Sequence, residues 1–358
     1  MKGPFAREAG HEQVVFTRDD ASGLACIIAI HSTALGPALG GTRFRAYANE
    51  DEALTDVLRL SRAMTYKTAC AGLDLGGGKA VIVGEPEQLA SEALFRAYGR
   101  AIESLGGRYI TACDVGTTPA DMTIIKRETR WVTGADEIEG GSGDSGVVTA
   151  QGVYLAMHAV ADAAFGTPSL SGRHIAVQGL GKVGYRLVGH LVREGAKVTV
   201  ADISPDALDR VAGLDNVEVV GVDDVLLTDA DIVSPNALGG VIDETLIPKL
   251  QAKVICGGAN NQLATIEDAQ RLHDRGILYA PDYVVNAGGV INVANELHPL
   301  GYSEERAHRR VDAIPATLRS IIEVSRREDI TPDDAALHVA EDRIHAVSGT
   351  RRFWLPSN

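Results

Sequence analysis

The chain has 358 residues, of which 45% are hydrophobic and 5% aromatic, so two domains with aliphatic cores are expected. Its 34 Lys and Arg residues stand against 48 Asp and Glu residues, which gives a formal net charge of −14. Because no Lys/Arg-rich stripe is present, this composition excludes nucleic-acid binding as the main function. The longest apolar run, Leu24–Ile30, is too short to cross a membrane, and the N-terminal residues lack the apolar core of a signal peptide.

The four cysteines, Cys26, Cys70, Cys113 and Cys256, lie far apart in the sequence. They form no CxxC pair and no His-bearing spacing typical of a metal site. We therefore expect no bound metal, and we expect free thiols in a reducing cytoplasm.

The first part of the chain, to about residue 145, is predicted to form an α/β domain. Apolar residues at helical spacing indicate helices over 50–66 and about 88–105. Short apolar runs indicate strands at Gln13–Thr17, Leu24–Ser32, Ala80–Val83 and Tyr109–Ala112. The glycine-rich segment Glu139–Gly146 tolerates unusual backbone angles and is the expected domain junction and hinge.

Regular alternation of strands and helices follows this junction, after a helix at 150–165. The predicted strands are Ile175–Gln178, Lys197–Ala201, Val217–Val220, Ile232–Ser234, Val254–Cys256 and Ile277–Tyr279. Such alternation predicts a parallel, doubly wound sheet. Two final helices, about Ser303–Arg326 and Pro332–Val347, are expected to return to the first domain, with a kink at Pro315.

A glycine-rich turn follows the first strand of this alternation. Gly179, Gly181 and Gly184 have GxGxxG spacing, which alone is a weak signal but here opens a helix predicted over 182–194. The turn, with Lys182 and Val183, is therefore predicted to bind the pyrophosphate of a dinucleotide at the helix N-terminus.

The next predicted strand ends in Asp202. A carboxylate at this position would accept hydrogen bonds from an adenosine ribose and repel a 2′-phosphate, so NAD is favoured over NADP. The competing interpretation of the whole segment is a tight strand–helix turn with no ligand.

Lys67 and Lys79 are the only lysines between Lys2 and Lys126, and both lie among apolar and small residues. Two ammonium groups close together in a partly dry cleft would lower each other's pKa. One could then act as a base while the other holds a carboxylate. The alternative is a pair of surface lysines without a catalytic role.

Asp114 lies just past the strand predicted at Tyr109–Ala112. A carboxylate at the end of a strand is well placed to transfer protons. The alternative is that Asp114 caps the helix predicted to start near Pro119.

These segments together resemble the Glu/Leu/Phe/Val dehydrogenase family, and within it the leucine dehydrogenases and the valine dehydrogenases typical of actinomycetes. The resemblance runs from about residue 11 to about 347 and includes, in order, Leu35–Arg43, Met64–Lys79, Tyr109–Thr117, Gly179–Gly184, Ala259–Leu263 and Tyr279–Val293. It implies NAD-dependent, reversible oxidative deamination of a branched-chain aliphatic L-amino acid (L-valine, L-leucine or L-isoleucine) to the 2-oxo acid, ammonium and NADH.

The resemblance also implies the domain organisation. Residues 1–145, completed by C-terminal helices at about 327–358, would form a substrate-binding and oligomerisation domain. Residues 146–326 would form a Rossmann NAD-binding domain, separated from the first by a cleft that a hinge motion closes. Relatives form dimers or octamers, so a homo-oligomer is expected, with the N-terminal strands as the interface.

Individual roles follow from the same resemblance. Lys67 would bind the substrate α-carboxylate, aided by the backbone at Gly40 and Gly41. Lys79 would be the general base that activates water for attack on the iminium, and Asp114 would exchange protons with the substrate amine. The implied cofactor contacts beyond the glycine turn are Thr149, Asn286 and, where nicotinamide and substrate meet, Asn261.

Substrate choice is implied by Leu39, which stands where the glutamate dehydrogenases of the family carry a lysine. Burying a glutamate side chain against Leu39 and Val293 would leave its carboxylate without a partner, so glutamate is a poor candidate. Phenylalanine dehydrogenases tend to have a smaller residue at this position, and L-phenylalanine is the alternative substrate. Valine and leucine differ by one methylene, worth ~1 kcal/mol, and both remain open. The remaining expected pocket residues are Met64, Cys113, Thr133 and Val290.

Two other protein classes share the dinucleotide fold. A non-catalytic NAD-binding sensor would be expected to lose one of the two lysines or the aspartate. A 2-hydroxy-acid dehydrogenase would need a His–carboxylate pair and an arginine clamp, and the histidines show no such acidic partner in the sequence.

Overall fold

A computed structural model describes residues 10–349 of the chain. Two compact units divide them, the first with residues up to Gly143, 292–304 and from Ala340, the second with 144–291 and 305–339. Two segments differ from the expected division. Residues 292–304 were expected in the second domain but belong to the first unit, and residues 327–339 were expected in the first domain but belong to the second unit. The outer parts of the expected first domain, 1–9 and 350–358, lie outside the described residues.

The first unit contains a five-stranded mixed sheet. Its strands are β1 (Gln13–Asp19), β2 (Leu24–Ser32), β3 (Ala38–Arg45), β4 (Gly76–Val83) and β5 (Tyr109–Cys113), in the spatial order β1-β2-β4-β3-β5. The pairs β1–β2 and β2–β4 are antiparallel, whereas β3 lies parallel to β4 on one side and to β5 on the other. The carboxyl ends of β3, β4 and β5 therefore meet at one edge of the sheet.

Helices cover both faces of this sheet. The helix Glu50–Cys70 begins where the Asn49 side chain accepts from the Glu52 N–H. It packs on one face in a core cluster formed by Ile27, Ala29, Ala53, Leu54, Val57, Leu58 and Val81. The other face carries a larger core under the helix Glu92–Glu103, with Phe44, Leu94, Phe95, Tyr98, Ile102 and Tyr109 among its members. The helices Pro86–Leu89 and Pro119–Lys126 complete this part of the unit.

The second unit contains a six-stranded sheet with parallel pairing throughout. Its strands are β6 (His174–Gln178), β7 (Lys197–Ala201), β8 (Val217–Val219), β9 (Ile232–Pro235), β10 (Val254–Ile255) and β11 (Leu278–Tyr279), in the order β11-β10-β9-β6-β7-β8. The chain runs outward from β6 to β7 and β8, then crosses to β9. This order confirms the predicted doubly wound sheet and makes the carboxyl end of β6 its switch point, where such folds bind ligands.

Helices connect the strands of the second unit. Those between Asp144 and Val285 are Gly146–Phe165, Gly184–Glu194, Pro205–Asp209, Glu267–Asp274 and Asp282–Val285. The helices after the last strand are Gly288–Asn295, Glu304–Val311, Ile314–Glu328 and Pro332–Ser348, and the first and last of these each have residues in both units.

The expected return of both final helices to the first domain was wrong. The helix Ile314–Glu328 packs on Gly146–Phe165 within the second unit, where the Arg326 guanidinium donates to the Ala163 carbonyl at 2.7 Å. Only the end of the last helix, from Ala340, belongs to the first unit. Pro315 lies in the first turn of its helix, where a backbone N–H is not needed for an intrahelical hydrogen bond. A new helix therefore begins at Ile314, instead of one long helix kinked at Pro315.

Candidate active site

Lys79 and Asp114 come together on one face of the first sheet. Lys79 lies in β4 and Asp114 directly follows β5. The Lys79 Nζ is 2.8 Å from the Asp114 Oδ2, and Lys79 is only 7% exposed. The two predicted catalytic residues therefore form a buried ion pair.

Gly41 of β3 lies between these two side chains. Leu39 pairs with Gly77 of β4, and parallel register then places Gly41 beside Lys79 on the same face. A Cβ at Gly41 would come within 2.5 Å of the Cys113 carbonyl oxygen and 3.0 Å of the Asp114 Cβ. Glycine at position 41 therefore leaves the space across which the ion pair forms.

Burial is the largest influence on the Lys79 ammonium. It lowers the pKa of Lys79, and the charge and hydrogen bond of Asp114 oppose this only in part. The Arg43 charge lowers the same pKa further. Repulsion between Lys67 and Lys79 was the cause expected from the sequence, whereas burial is the largest cause in the structure.

Asp114 is held in its charged form. Burial acts to raise its pKa, but the charge and hydrogen bond of Lys79, followed by the Arg43 charge, outweigh burial and lower it. The carboxylate is therefore ionised at neutral pH and can accept a proton or a hydrogen bond.

A second cation, Arg43 of β3, contacts the same aspartate. Its Nε is 3.2 Å from the Asp114 Oδ2, and its Nη1 donates to the Asp56 Oδ2 at 2.9 Å. The Tyr47 hydroxyl donates to the same Asp56 oxygen at 2.9 Å. Neither Arg43 nor Asp56 was predicted as a site residue. Arg43 lies two residues after Gly41, and this spacing puts its side chain on the same face of the sheet as Lys79. That spacing was the sequence signal that could have identified Arg43.

The backbone at Asp114 is fixed by one neighbouring hydroxyl, that of Thr117. Its N–H donates to the Thr117 Oγ1 at 2.9 Å, and the Thr117 hydroxyl donates to the Thr42 carbonyl at 2.9 Å. The helix that follows is capped by Thr118 instead, in a capping box with Asp121. The alternative reading of Asp114 as a helix cap was therefore wrong.

Three of the expected substrate-binding residues belong to the helix and the strand that adjoin β4. Lys67 and Met64 are half-buried near the end of the helix Glu50–Cys70. That helix approaches β4 so closely that a Cβ at Gly77 would overlap the helix backbone. Leu39 is buried on the face that also carries Gly41 and Lys79.

Gly40 of β3 and Cys113 of β5 stand at strand positions that face away from this group. The Gly40 carbonyl accepts from the Tyr109 hydroxyl at 2.6 Å. Cys113 packs against the core of the opposite face, and its thiol donates to the Gly134 carbonyl at 3.4 Å. Because side chains alternate along a strand, this placement speaks against Cys113 in the pocket wall. Thr133 is buried, and its hydroxyl donates to the Thr111 carbonyl at 3.1 Å.

The glycine turn of the second unit lies at the carboxyl end of β6. Gly179 has a φ of +90°, which favours glycine, and a Cβ at Gly184 would lie 1.9 Å from the Gly179 carbonyl oxygen. A Cβ at Gly181 would meet nothing within 4 Å, so the outer side of the turn is open. The helix begins at Gly184, after the exposed Lys182 and the half-buried Val183. This tight turn against a helix N-terminus fits a pyrophosphate group.

Asp202 adjoins this turn. Its Oδ2 accepts from the Leu180 N–H at 2.6 Å and its Oδ1 from the Ser204 N–H at 2.8 Å. The Arg210 guanidinium donates to the Leu180 carbonyl at 2.8 Å and lies over the Tyr185 ring. The carboxylate is thus fixed beside the glycine turn, as a ribose contact requires.

The other expected cofactor contacts also lie in the second unit. Thr149 is buried, and its hydroxyl donates to the Ser145 carbonyl at 2.8 Å. The Asn286 side-chain amide donates to the Asn260 Oδ1 at 2.8 Å, and the exposed Asn261 has a φ of +52°. On the helix Gly288–Asn295, the expected pocket residues Val290, which is buried, and Val293, which is half-buried, are three positions apart and share a face.

Two kinds of feature are absent from residues 10–349. No group of three or more His, Cys, Asp or Glu side chains gathers there in a way that could hold a metal ion. The same residues include no helix with the length and apolar character to cross a membrane.

Comparison with known proteins identifies the family. Residues 11–131 match the family model described as "Glu/Leu/Phe/Val dehydrogenase, dimerisation domain", and residues 205–350 match "Glutamate/Leucine/Phenylalanine/Valine dehydrogenase". The chain is 51% identical to the leucine dehydrogenase of Bacillus subtilis, over 98% of this chain and 96% of that protein. It is 52% identical to the valine dehydrogenase of Streptomyces albus, over 96% of this chain and 95% of that protein.

Among solved structures, the chain is similar to the L-tryptophan dehydrogenase from Nostoc punctiforme, with a TM-score of 0.85 and 44% identity over 94% of this chain and 97% of that one. Together these matches show that the chain belongs to the Glu/Leu/Phe/Val dehydrogenase family.

Proposed function

We propose that the protein is an NAD-dependent dehydrogenase that reversibly deaminates the branched-chain L-amino acids valine, leucine and isoleucine to 2-oxo acids, with release of ammonium. The observation that carries this proposal is the buried Lys79–Asp114 pair at 2.8 Å. Its support comes from a leucine and a valine dehydrogenase that are each about half identical to this chain over nearly its full length.

The chemistry divides between cofactor and protein. Bound NAD would accept the hydride that leaves the substrate Cα. Lys67 would hold the α-carboxylate with the backbone at Gly40 and Gly41. Lys79, with its lowered pKa, would take a proton from the water that attacks the iminium carbon. Asp114 would exchange protons with the amino group before ammonia leaves.

The proposed cofactor site uses the residues at the carboxyl end of the second sheet. The turn from Gly179 to Gly184 would hold the pyrophosphate. Asp202 would accept from the adenosine ribose and disfavour the 2′-phosphate of NADP. Nearer the nicotinamide, the proposed contacts are Thr149, Asn261 and Asn286.

The proposed side-chain pocket is apolar. Leu39, buried beside Gly41, would contact the aliphatic end of the substrate, with Met64, Thr133, Val290 and Val293 as further wall residues. A glutamate carboxylate would have no cationic partner at Leu39. Because the chain is also 44% identical to an L-tryptophan dehydrogenase, aromatic amino acids are the second candidate substrates.

We also propose a homo-oligomer, dimer or octamer, assembled through the first unit. β1 is an edge strand of its sheet, and Phe16 on it is 62% exposed. An edge strand with an exposed aromatic ring favours pairing with a second copy of the chain. The family model that matches residues 11–131 is described as a dimerisation domain.

A substrate panel tests the proposed function. NADH or NADPH formation would be followed with L-Val, L-Leu, L-Ile, L-Phe, L-Trp and L-Glu. We expect kcat/KM for the aliphatic substrates to exceed that for L-Glu by about 100-fold or more, since the pocket lacks a cation for the second carboxylate. NAD should be preferred to NADP. Dominant activity on L-Trp or L-Phe would favour the aromatic alternative, and activity that ignores ammonium in the reverse direction would contradict deamination.

Substitution of the proposed base should stop turnover. In Lys79→Ala we expect kcat to fall by about 1000-fold or more, because general-base assistance of this order is lost. NADH binding, measured by fluorescence, should persist. Lys197→Ala, at an exposed lysine of the second unit, is the matched control and should behave like the wild type. Near-normal turnover in Lys79→Ala would remove the base role.

Gly41→Ala tests the space between the ion-pair partners. The added Cβ would push against the Cys113 carbonyl and Asp114, and displacement of a catalytic group by about 1 Å can lower kcat by about 100-fold. Circular dichroism would verify folding, and kcat would be measured with the best branched-chain substrate. Gly213→Ala, where a Cβ meets nothing within 4 Å, is the control. Equal kcat in both variants would contradict the proposed geometry.

Leu39→Ala tests the pocket assignment. Removing the isobutyl group should weaken contact with aliphatic substrates and make room for a ring. We expect the ratio of kcat/KM for L-Phe to that for L-Val to rise by about 10-fold or more. Leu24→Ala, at an equally buried leucine of β2, controls for general loosening of the core. The same ratio in both variants would place Leu39 outside the pocket.

A further inference from the structure

Arg43 joins the Lys79–Asp114 pair to a second carboxylate deeper in the first unit. Asp56 lies on the helix Glu50–Cys70, which covers the face of the sheet that carries Lys79. The Arg43 guanidinium contacts Asp114 through Nε and Asp56 through Nη1. Four charged side chains of alternating sign therefore form one continuous cluster.

We propose that Arg43 is a positioning residue of the active site, which holds Asp114 in place from an anchor at Asp56 and so sets the pH at which Lys79 can act as a base. This inference rests on the catalytic roles proposed above for Lys79 and Asp114. It adds two residues, Arg43 and Asp56, to those that govern the reaction.

The geometry requires an arginine. One planar guanidinium places Nε toward one carboxylate and Nη1 toward another, whereas a lysine ammonium is a single point that cannot reach both in the same way. Both contacts of Asp114 with cations are made at Oδ2, where Lys79 Nζ is 2.8 Å and Arg43 Nε 3.2 Å away. The Asp114 carboxylate is therefore held from two sides at one oxygen.

The anchor at Asp56 is itself fixed. Its side chain is 13% exposed, and its Oδ2 accepts from both the Arg43 Nη1 and the Tyr47 hydroxyl. Its Oδ1 is 3.6 Å from the guanidinium of Arg59, whose side chain is 69% exposed. A surface contact of this kind contributes little, so the buried bonds to Arg43 and Tyr47 hold Asp56.

The charge balance couples Arg43 to the protonation of Lys79. The ionisable groups with the largest effects on the pKa of Lys79 are Asp114 from the end of β5, Arg43 from β3 and Asp56 from the covering helix. With Lys79 protonated, the four charges sum to zero; when Lys79 loses its proton, Arg43 faces two carboxylates alone. Arg43 thus favours the neutral form of Lys79, and Asp56 favours the charged form.

The two residues should therefore shift the pH profile in opposite directions. In the proposed reaction kcat/KM rises with pH as Lys79 becomes neutral. In Arg43→Gln the ascending limb should move to higher pH, because a cation that lowers the pKa of Lys79 is lost. In Asp56→Asn the limb should move to lower pH, because an anion that raises it is lost. Each shift should be about 1 pH unit, the size expected for one partly buried charge nearby.

Two controls separate this role from a structural one. Arg127→Gln removes an arginine of the first unit whose side chain is 51% exposed and pairs with Glu92 at the surface, and its pH profile should match that of the wild type. Arg43→Lys keeps the positive charge but loses the planar group that contacts both carboxylates. The ascending limb of its pH profile should therefore stay near the wild-type pH, while kcat falls. General damage to the fold would lower kcat in any variant, but it would not shift the ascending limbs of Arg43→Gln and Asp56→Asn in opposite directions.

The outcomes are distinct from those that test the proposed function. Wild-type turnover and its loss in Lys79→Ala are measured first, and their failure would count against the function itself. If the wild type is active and the limbs of Arg43→Gln and Asp56→Asn coincide with it, or move in the same direction, the inference about Arg43 is overturned. Should Arg43→Gln fail to fold, Asp56→Asn alone still decides, because Asp56 acts on the catalytic pair only through its charge and through Arg43.

Discussion

The buried ion pair of Lys79 and Asp114 is the constraint around which the first unit is arranged. A charge removed from water needs a partner with good geometry, and here the partners come from strands that are not neighbours. The strand between them, β3, contributes Gly41, so nothing stands between the two side chains. Parallel pairing of β3 with both β4 and β5 then brings the carboxyl ends of all three strands to one edge.

Several opposing influences set the pKa of Lys79 in this pair. Burial favours neutral Lys79, Asp114 and Asp56 favour its charged form, and Arg43 acts with burial. None of these influences alone would leave a lysine that can both stay near its aspartate and give up its proton. The helix Glu50–Cys70 matters because it supplies Asp56 and closes the face of the sheet over Lys79.

The sequence predicted well those features that local spacing determines. The strand–turn–helix at Gly179–Gly184 and the carboxylate at Asp202 lie where the GxGxxG pattern requires. β3 was missed, because Gly40 and Gly41 interrupt the apolar pattern that marks a strand, although the site needs them. Cys113 was expected in the pocket wall, whereas alternation along β5 places its side chain on the face opposite to Asp114.

Longer-range features could not be predicted in the same way. The contact between Arg43 and Asp56 joins residues on a strand and a helix, and only the packed structure shows that their side chains meet. The final helices have apolar residues at clear helical spacing. Such spacing identifies the apolar face of a helix, but it does not identify the surface of the protein against which that face packs. Their division between the two units follows from tertiary packing alone.

Asp202 has a consequence for redesign of this protein. Both of its oxygens already accept backbone N–H groups, one from Leu180 inside the glycine turn and one from Ser204. A substitution of Asp202 that is intended to admit a phosphorylated ribose would therefore also leave the N–H groups of Leu180 and Ser204 without their acceptor. The loss of these hydrogen bonds would loosen the glycine turn. An engineer who wishes to exchange one nucleotide for another here must first rebuild an acceptor for those amides, and only then add positive charge.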